Sequence, residues 1–323
     1  MGGSRTQFFS QWNNGNMVTV DQAFISGDVF FVDSGKTTTG GITSGFGSSP
    51  DRPFLTLDSA IANCAENNGD HIFVLPGHAE TIIADSGVDI DKAGITIIGL
   101  GRGAARPTFT FQGNVAADFK LAAASTVIKN LLFLNNLDNT TGIVEVSAPD
   151  CQILGCEFRE ADIAAFADVM LLTTAAADRL TIKDLVMIGN AGDGAVSGVS
   201  LVGADDLVME NIRIYGDYTS ACIHLHTTAS LRGEYKDLYL FNEDATAGAD
   251  AIRAMWDEIT GSTGTLRGDI QAQLGLDAAN TTGAITCASM MYFGKPCSVG
   301  PAVVNAVKES PVANDYFPAS TDA

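Results

Sequence analysis

The chain has 323 residues, 46% of them apolar and 17% charged, with 38 acidic against 18 basic side chains and a net charge of −20. That apolar content excludes a disordered chain, and an acidic balance without a basic cluster argues against nucleic acid or anionic lipid as a partner. No run of about 18 apolar residues is present to span a bilayer, so no membrane segment is expected.

In chain order, residues 1–27 lack periodicity and read as an N-terminal arm, either unstructured or lying on another subunit. Phe8, Phe9 and Trp12 favour an arm with a docking place. Residues 1–9 lack the apolar core of a secretory signal, which fits a protein made in the cytoplasm or one that has lost its leader. Residues 28–33 read as a strand, and residues 34–50 as a surface loop in which Gly35-Lys36-Thr37 lacks the upstream glycine of a phosphate-binding loop. Next, Thr56 is placed to N-cap a helix with Asp58 in its first turn; Leu57, Ala60, Ile61 and Cys64 share its apolar face, and Gly69 is the stop.

From about residue 95 to 242 one short phrase returns, as in Val127-Ile128-Lys129-Asn130-Leu131-Leu132-Phe133 and Leu207-Val208-Met209-Glu210-Asn211-Ile212. Its turn-forming position falls at Asn130, Gly155, Asp184, Asn211 and Asp237, intervals of 25 to 29 residues. A second phrase is interleaved, as in Val144-Glu145-Val146 and Ile223-His224-Leu225. Both are short, β-branched and alternating, with no helical stretch between them, so they predict two strands per repeat in a solenoid whose coils cover one another's apolar faces. Beyond residue 242 the phrases fade. Ala251, Ile252, Met255, Trp256 and Ile259 have helical spacing, residues 266–276 and 285–293 give further short elements, and residues 309–323, with Tyr316 and Phe317, read as an extended arm.

The six cysteines show no zinc spacing. Cys151, Cys156 and Cys222 lie in strand phrases as small apolar residues, whereas Cys287 and Cys297 fall outside the repeat and could pair in an oxidising medium.

The run from Asp51-Arg52-Pro53-Phe54-Leu55-Thr56-Leu57 through Leu75-Pro76-Gly77-His78-Ala79-Glu80-Thr81 to Gly94-Ile95-Thr96-Ile97-Ile98-Gly99-Leu100-Gly101-Arg102-Gly103 and Arg106-Pro107-Thr108 resembles the N-terminal cap and first coils of pectate-lyase-like parallel β-helix proteins. More narrowly, it is similar to a group of tailed-phage proteins of unassigned role. The resemblance implies an all-β, right-handed parallel β-helix with an N-terminal capping helix over residues 28–245. Residues 246–323 then form a small C-terminal cap or oligomerisation module. It also implies a virion protein assembled in the host cytoplasm, with major capsid or other virion proteins as partners and a homotrimer as the assembly.

An enzyme on such a rod would need carboxylates converging from neighbouring coils. The candidates are Asp205-Asp206 with Asp178-Arg179 and Asp150 below, Asp89 with Asp91, and Glu234 with Asp237; repeated Asp at a corner is also what turn formation produces. His224 and His226 read as an exposed outward pair or a subunit contact, His78 and Glu80 as loop-shaping groups, and Arg102 and Arg106 as partners of loop carbonyls or a nearby acid. These assignments leave no catalytic, cofactor or metal residue. The expectation is a non-enzymatic capsid decoration or cement protein contacting its partners through Phe8, Phe9, Trp12, Tyr316 and Phe317. A tailspike-type polysaccharide lyase or hydrolase and a receptor-binding or adhesion fibre are the alternatives.

Overall fold

A computed structural model of the chain describes residues 27–36, 47–137, 142–161, 168–190, 192, 194–244, 253–274, 284–287 and 289–295. The arm residues Phe8, Phe9, Trp12, Tyr316 and Phe317, and Cys297, lie outside them.

Parallel strands stack into two sheets, one of 8 strands and one of 15. One coil shows the plan. Phe119–Leu121 belongs to the smaller sheet, face I; Val127–Lys129 and Leu132–Asn135 belong to the larger sheet and form its two faces, II and III. Each strand pairs in register with its equivalent one coil away, so Phe109, Phe133 and Phe158 stack in one inward column and Ile97, Ile128, Ile153 and Ile182 in another. At about 4.8 Å per step, the seven steps across the eight-stranded sheet make a rod roughly 34 Å long. Both columns are fully buried in one apolar core that runs the length of the stack.

A coil therefore has three strands where the sequence phrase suggested two. The first phrase is broken at its turn position: Asn130, Asp184, Asn211 and Asp237 all take left-handed backbone angles, with φ between 53° and 56°, and Gly155 joins them at 60°. One left-handed residue reverses the pleat and swings the strand from face II to face III. In the later coils the strand stays continuous through the bend, as in Val208–Gly216 around Asn211. A second column of left-handed residues, Asp150, Arg179, Asp206 and Arg232, turns the chain from face I to face II.

At the N-terminal end, the helix Leu57–Ile61 packs on the first strands of faces I and II and buries Leu57, Ala60 and Ile61 in the core. Thr56 caps it, its hydroxyl accepting from Ser59 N at 3.3 Å. The helix ends at Ile61 rather than running to Gly69, because Asn63 and Cys64 bond back at the tighter three-residue spacing. At the other end the stack continues beyond residue 245. Arg253–Asp257 is a face I strand, not the helix its spacing suggested, and Gly264–Leu274 and Met290–Lys295 extend the larger sheet. Pairing with the row Ile223, His224, Leu225 beneath it overrides the local helical period.

Candidate functional site: the outer faces of the rod

In-register stacking sets each outward side chain directly above its equivalent, so like charges repeated from coil to coil would repel at close range. The columns alternate instead. Arg179 forks onto Asp150 at 2.6 and 2.8 Å, and Arg232 onto Asp206 at 2.7 and 2.9 Å with Asp205 at 3.3 Å. These hydrogen bonds hold the Asp150 and Asp206 carboxyls below their usual pKa. Asp205 and Asp178 serve the turn: Asp205 accepts from Leu231 N, and Asp178 from Asp205 N. The Asp205-Asp206 corner is thus a structural turn closed by arginine.

On face II, Lys183 lies 2.8 Å from Glu210, which Lys236 also contacts, and together they hold the Glu210 carboxyl at about 2. On face I, Lys120 pairs with Glu145 at 2.9 Å, while Asp89 is raised by partial burial and by Asp91. Glu234 faces Arg267 at 3.6 Å, and Asp237 accepts from Asp269 N at 2.9 Å. Among the described residues no group of three or more His, Cys, Asp or Glu could hold a metal ion.

His78 and Glu80 shape a loop. Ser34 N donates to His78 Nδ1 at 3.0 Å, which leaves the proton on Nε2 to be donated to Glu80 at 3.1 Å; Glu80 in turn accepts from Leu57 N at the helix start. Arg106 reaches Glu157 at 2.6 Å. Gly35 N turns back onto Asp33, closing a tight turn after the first strand. Cys64, Cys151, Cys156 and Cys222 are buried free thiols; burial pushes Cys64 up to about 12 and Cys151 and Cys156 to about 11, so none is a thiolate at neutral pH. Cys287 also carries a free thiol.

His224 and His226 face outward as read, but they are not an exposed pair. His224 is 7% exposed, sandwiched in a stack with His226 at 4.6 Å and Trp256 at 4.8 Å, the latter within 5° of parallel. Its nitrogens meet Ser197 Oγ at 3.3 Å and Glu258 Oε2 at 3.1 Å, and His226 meets Ser200 Oγ at 2.6 Å. Ser197, His224 and Glu258 thus have the connectivity of a nucleophile, base and orienting acid. Their burial is inverted for that chemistry: Ser197 is 1% exposed, out of a substrate's reach, whereas the Glu258 side chain is 48% exposed. Ser200 is likewise fully buried, and His226 turns its other nitrogen to the Thr227 hydroxyl rather than to a carboxylate. The stack reads as a stiffener of face I.

Face III of the later coils carries the feature that the sequence reading missed. Val186, Arg213, Tyr239 and Gln271 form one outward row, and Ile188, Tyr215, Phe241 and Gln273 the other. Between them lies a shallow groove of about 340 Å³. Tyr215 is 48% exposed. Arg213 lies 5.3 Å over the Tyr239 ring, and the Tyr239 hydroxyl and Gln271 amide both donate to Asp269 at 3.1 Å. The signal was present in Ile212-Arg213-Ile214-Tyr215 and Leu238-Tyr239-Leu240-Phe241, where large side chains occupy the positions that alternate with the buried ones. No protein-family model, curated protein or solved structure matches the chain.

Proposed function

We propose that the chain is a non-enzymatic structural protein of a tailed-phage virion, a decoration or cement protein that binds the head surface as an oligomer, a trimer by resemblance. The observation that carries the non-enzymatic part is the alternation of charge up the outer columns. Asp150, Asp206, Glu210 and Glu145 are each bound by a cation from an adjacent coil, so they brace the stack instead of converging on a substrate. The virion part rests on the resemblance carried by residues 51–108. Continuous ladders of main-chain hydrogen bonds make a stiff rod, and a rod that binds only the assembled shell adds its binding free energy to the shell's stability. In this reading residues 1–27, through Phe8, Phe9 and Trp12, and the tail with Tyr316 and Phe317, contact neighbouring capsid proteins.

Co-sedimentation of the purified chain with phage heads lacking it tests the reading. Saturable binding that raises the temperature at which heads release DNA is the expected result, and removal of residues 1–27 should abolish it while the rod stays folded. Absence of binding, with reducing ends or unsaturated products released from capsular or pectic polysaccharide, would replace it with the depolymerase alternative.

A further inference from the structure

We infer that the groove on face III is where the rod meets a second copy of itself. The inference rests on the oligomer clause of the proposal above and names its surface. Register makes the outward side chains of face III line up along the rod, from Leu132 and Leu134 through the Glu157–Arg159 pair to Val186 and Ile188 and on to Tyr215 and Phe241. This straight strip spans the strands from Leu132–Asn135 to Gly264–Leu274, about 24 Å at the strand spacing, with its apolar centre at Val186, Ile188, Tyr215, Tyr239 and Phe241 and the glutamines Gln271 and Gln273 at its end, and it matches in length and direction the strip on another rod.

Charge selects this face for a like partner. Two copies of a chain carrying −20 repel wherever their acidic surfaces meet. Along the strip Glu157 is neutralised within the chain by Arg106 at 2.6 Å and Arg159 at 2.5 Å, and the other acid, Asp269, takes the Tyr239 hydroxyl and the Gln271 amide, both at 3.1 Å. Arg213 adds a cation, held over Tyr239. Tyr, Phe and Arg around an apolar centre, with the neighbouring charged groups already bonded within the chain, is the composition of a protein interface.

The polar groups also argue against a small ligand. The Tyr239 hydroxyl and the Gln271 amide are turned onto Asp269, and the main chain of the groove floor is paired within the sheet. A sugar or peptide would find few donors aimed at it. A second rod needs only the apolar centre covered.

The test is sedimentation velocity and light scattering of the full chain over a dilution series, beside the double variant Ile188→Asp/Tyr215→Asp. Both substituted side chains point outward, so the core and ladders are untouched; circular dichroism and thermal melting check that the variant is folded. Val115→Asp, on an exposed loop residue away from the strip, is the control for added charge. The wild type and the control should run at a whole-number multiple of 33.7 kDa, and the double variant should dissociate with a constant at least about 100-fold weaker. A double variant that keeps the oligomer mass overturns the assignment of the strip but leaves the oligomer reading standing. A monomeric wild type overturns both. If that monomer binds phage heads and the double variant does not, the strip belongs to the capsid contact instead.

Discussion

Replacing Phe133 by alanine tests whether the core is a stack of locally coupled coils. Phe133 is fully buried, with ring centroids 4.8 Å from Phe158, 5.1 Å from Phe119, 6.0 Å from Phe109 and 6.4 Å from Phe111. A buried Phe→Ala change costs about 3–5 kcal/mol, and the spread depends on how far the surroundings collapse. Here collapse is resisted, because the strand Leu132–Asn135 is pinned by ladders to the coils on both sides. Four aromatic partners also lose their contact at once. The expected loss is therefore near the upper end, about 4–5 kcal/mol, read from urea unfolding. Because each coil of a solenoid contacts only its neighbours, hydrogen exchange should quicken first in the three coils holding Phe109, Phe133 and Phe158 and leave Gly233–Asn242 protected. A loss below about 2 kcal/mol, or exchange quickened uniformly along the rod, would refute this account of the core.

Asn130→Ala should cost about 3–4 kcal/mol. The left-handed angle penalises alanine by about 1–2 kcal/mol, and the carbonyls of Gly99 and Gly101 lose the Asn130 amide at about 1 kcal/mol each. Asn130→Gly should recover the backbone part in the same urea titration. Burial first, then the neighbouring His226, lowers the His224 pKa against the opposing pull of Glu258. The unfolded chain thus takes up this proton before the folded one, so the stack's stability is complete above about pH 6.5 and falls as pH drops toward the folded value. Melting temperature should decline from about pH 7 to 5, with a shallower slope in His224→Phe; equal slopes would refute the assignment. Glu210 acts lower: its pKa is depressed to about 2, so its contribution is intact above about pH 4.5 and is lost as pH falls toward 2. A Glu210→Gln variant should lose that acid-range dependence in melts followed by circular dichroism.

The bend positions were legible because a left-handed residue is a local demand: Asn, Asp and Gly meet it with little strain, and Asn130, Gly155, Asp184, Asn211 and Asp237 announced themselves at nearly even intervals. The inward columns were legible for the same reason, since alternation along a strand needs no knowledge of its neighbours. The Arg253–Asp257 segment was misread because its helical spacing is real, yet the edge of the coil below supplies hydrogen bonds that a five-residue helix could not equal. The arms lie outside the described residues, so the docking roles of Phe8, Phe9, Trp12, Tyr316 and Phe317 rest on the sequence alone.

Which outward side chains meet which was decided only by register. The sequence shows Asp150, Arg179, Asp206 and Arg232 at intervals of 26 to 29 residues, but their alternation into ion pairs exists only once loops of unequal length have been absorbed and the strands have locked in step. The same holds for the histidine and tryptophan stack and for the groove of Tyr215, Tyr239 and Phe241. Whether a residue faces in or out is settled by its own backbone, within one strand. What stands beside it on the outer face is settled by chain some 25 or more residues away, and only the folded stack measures that distance.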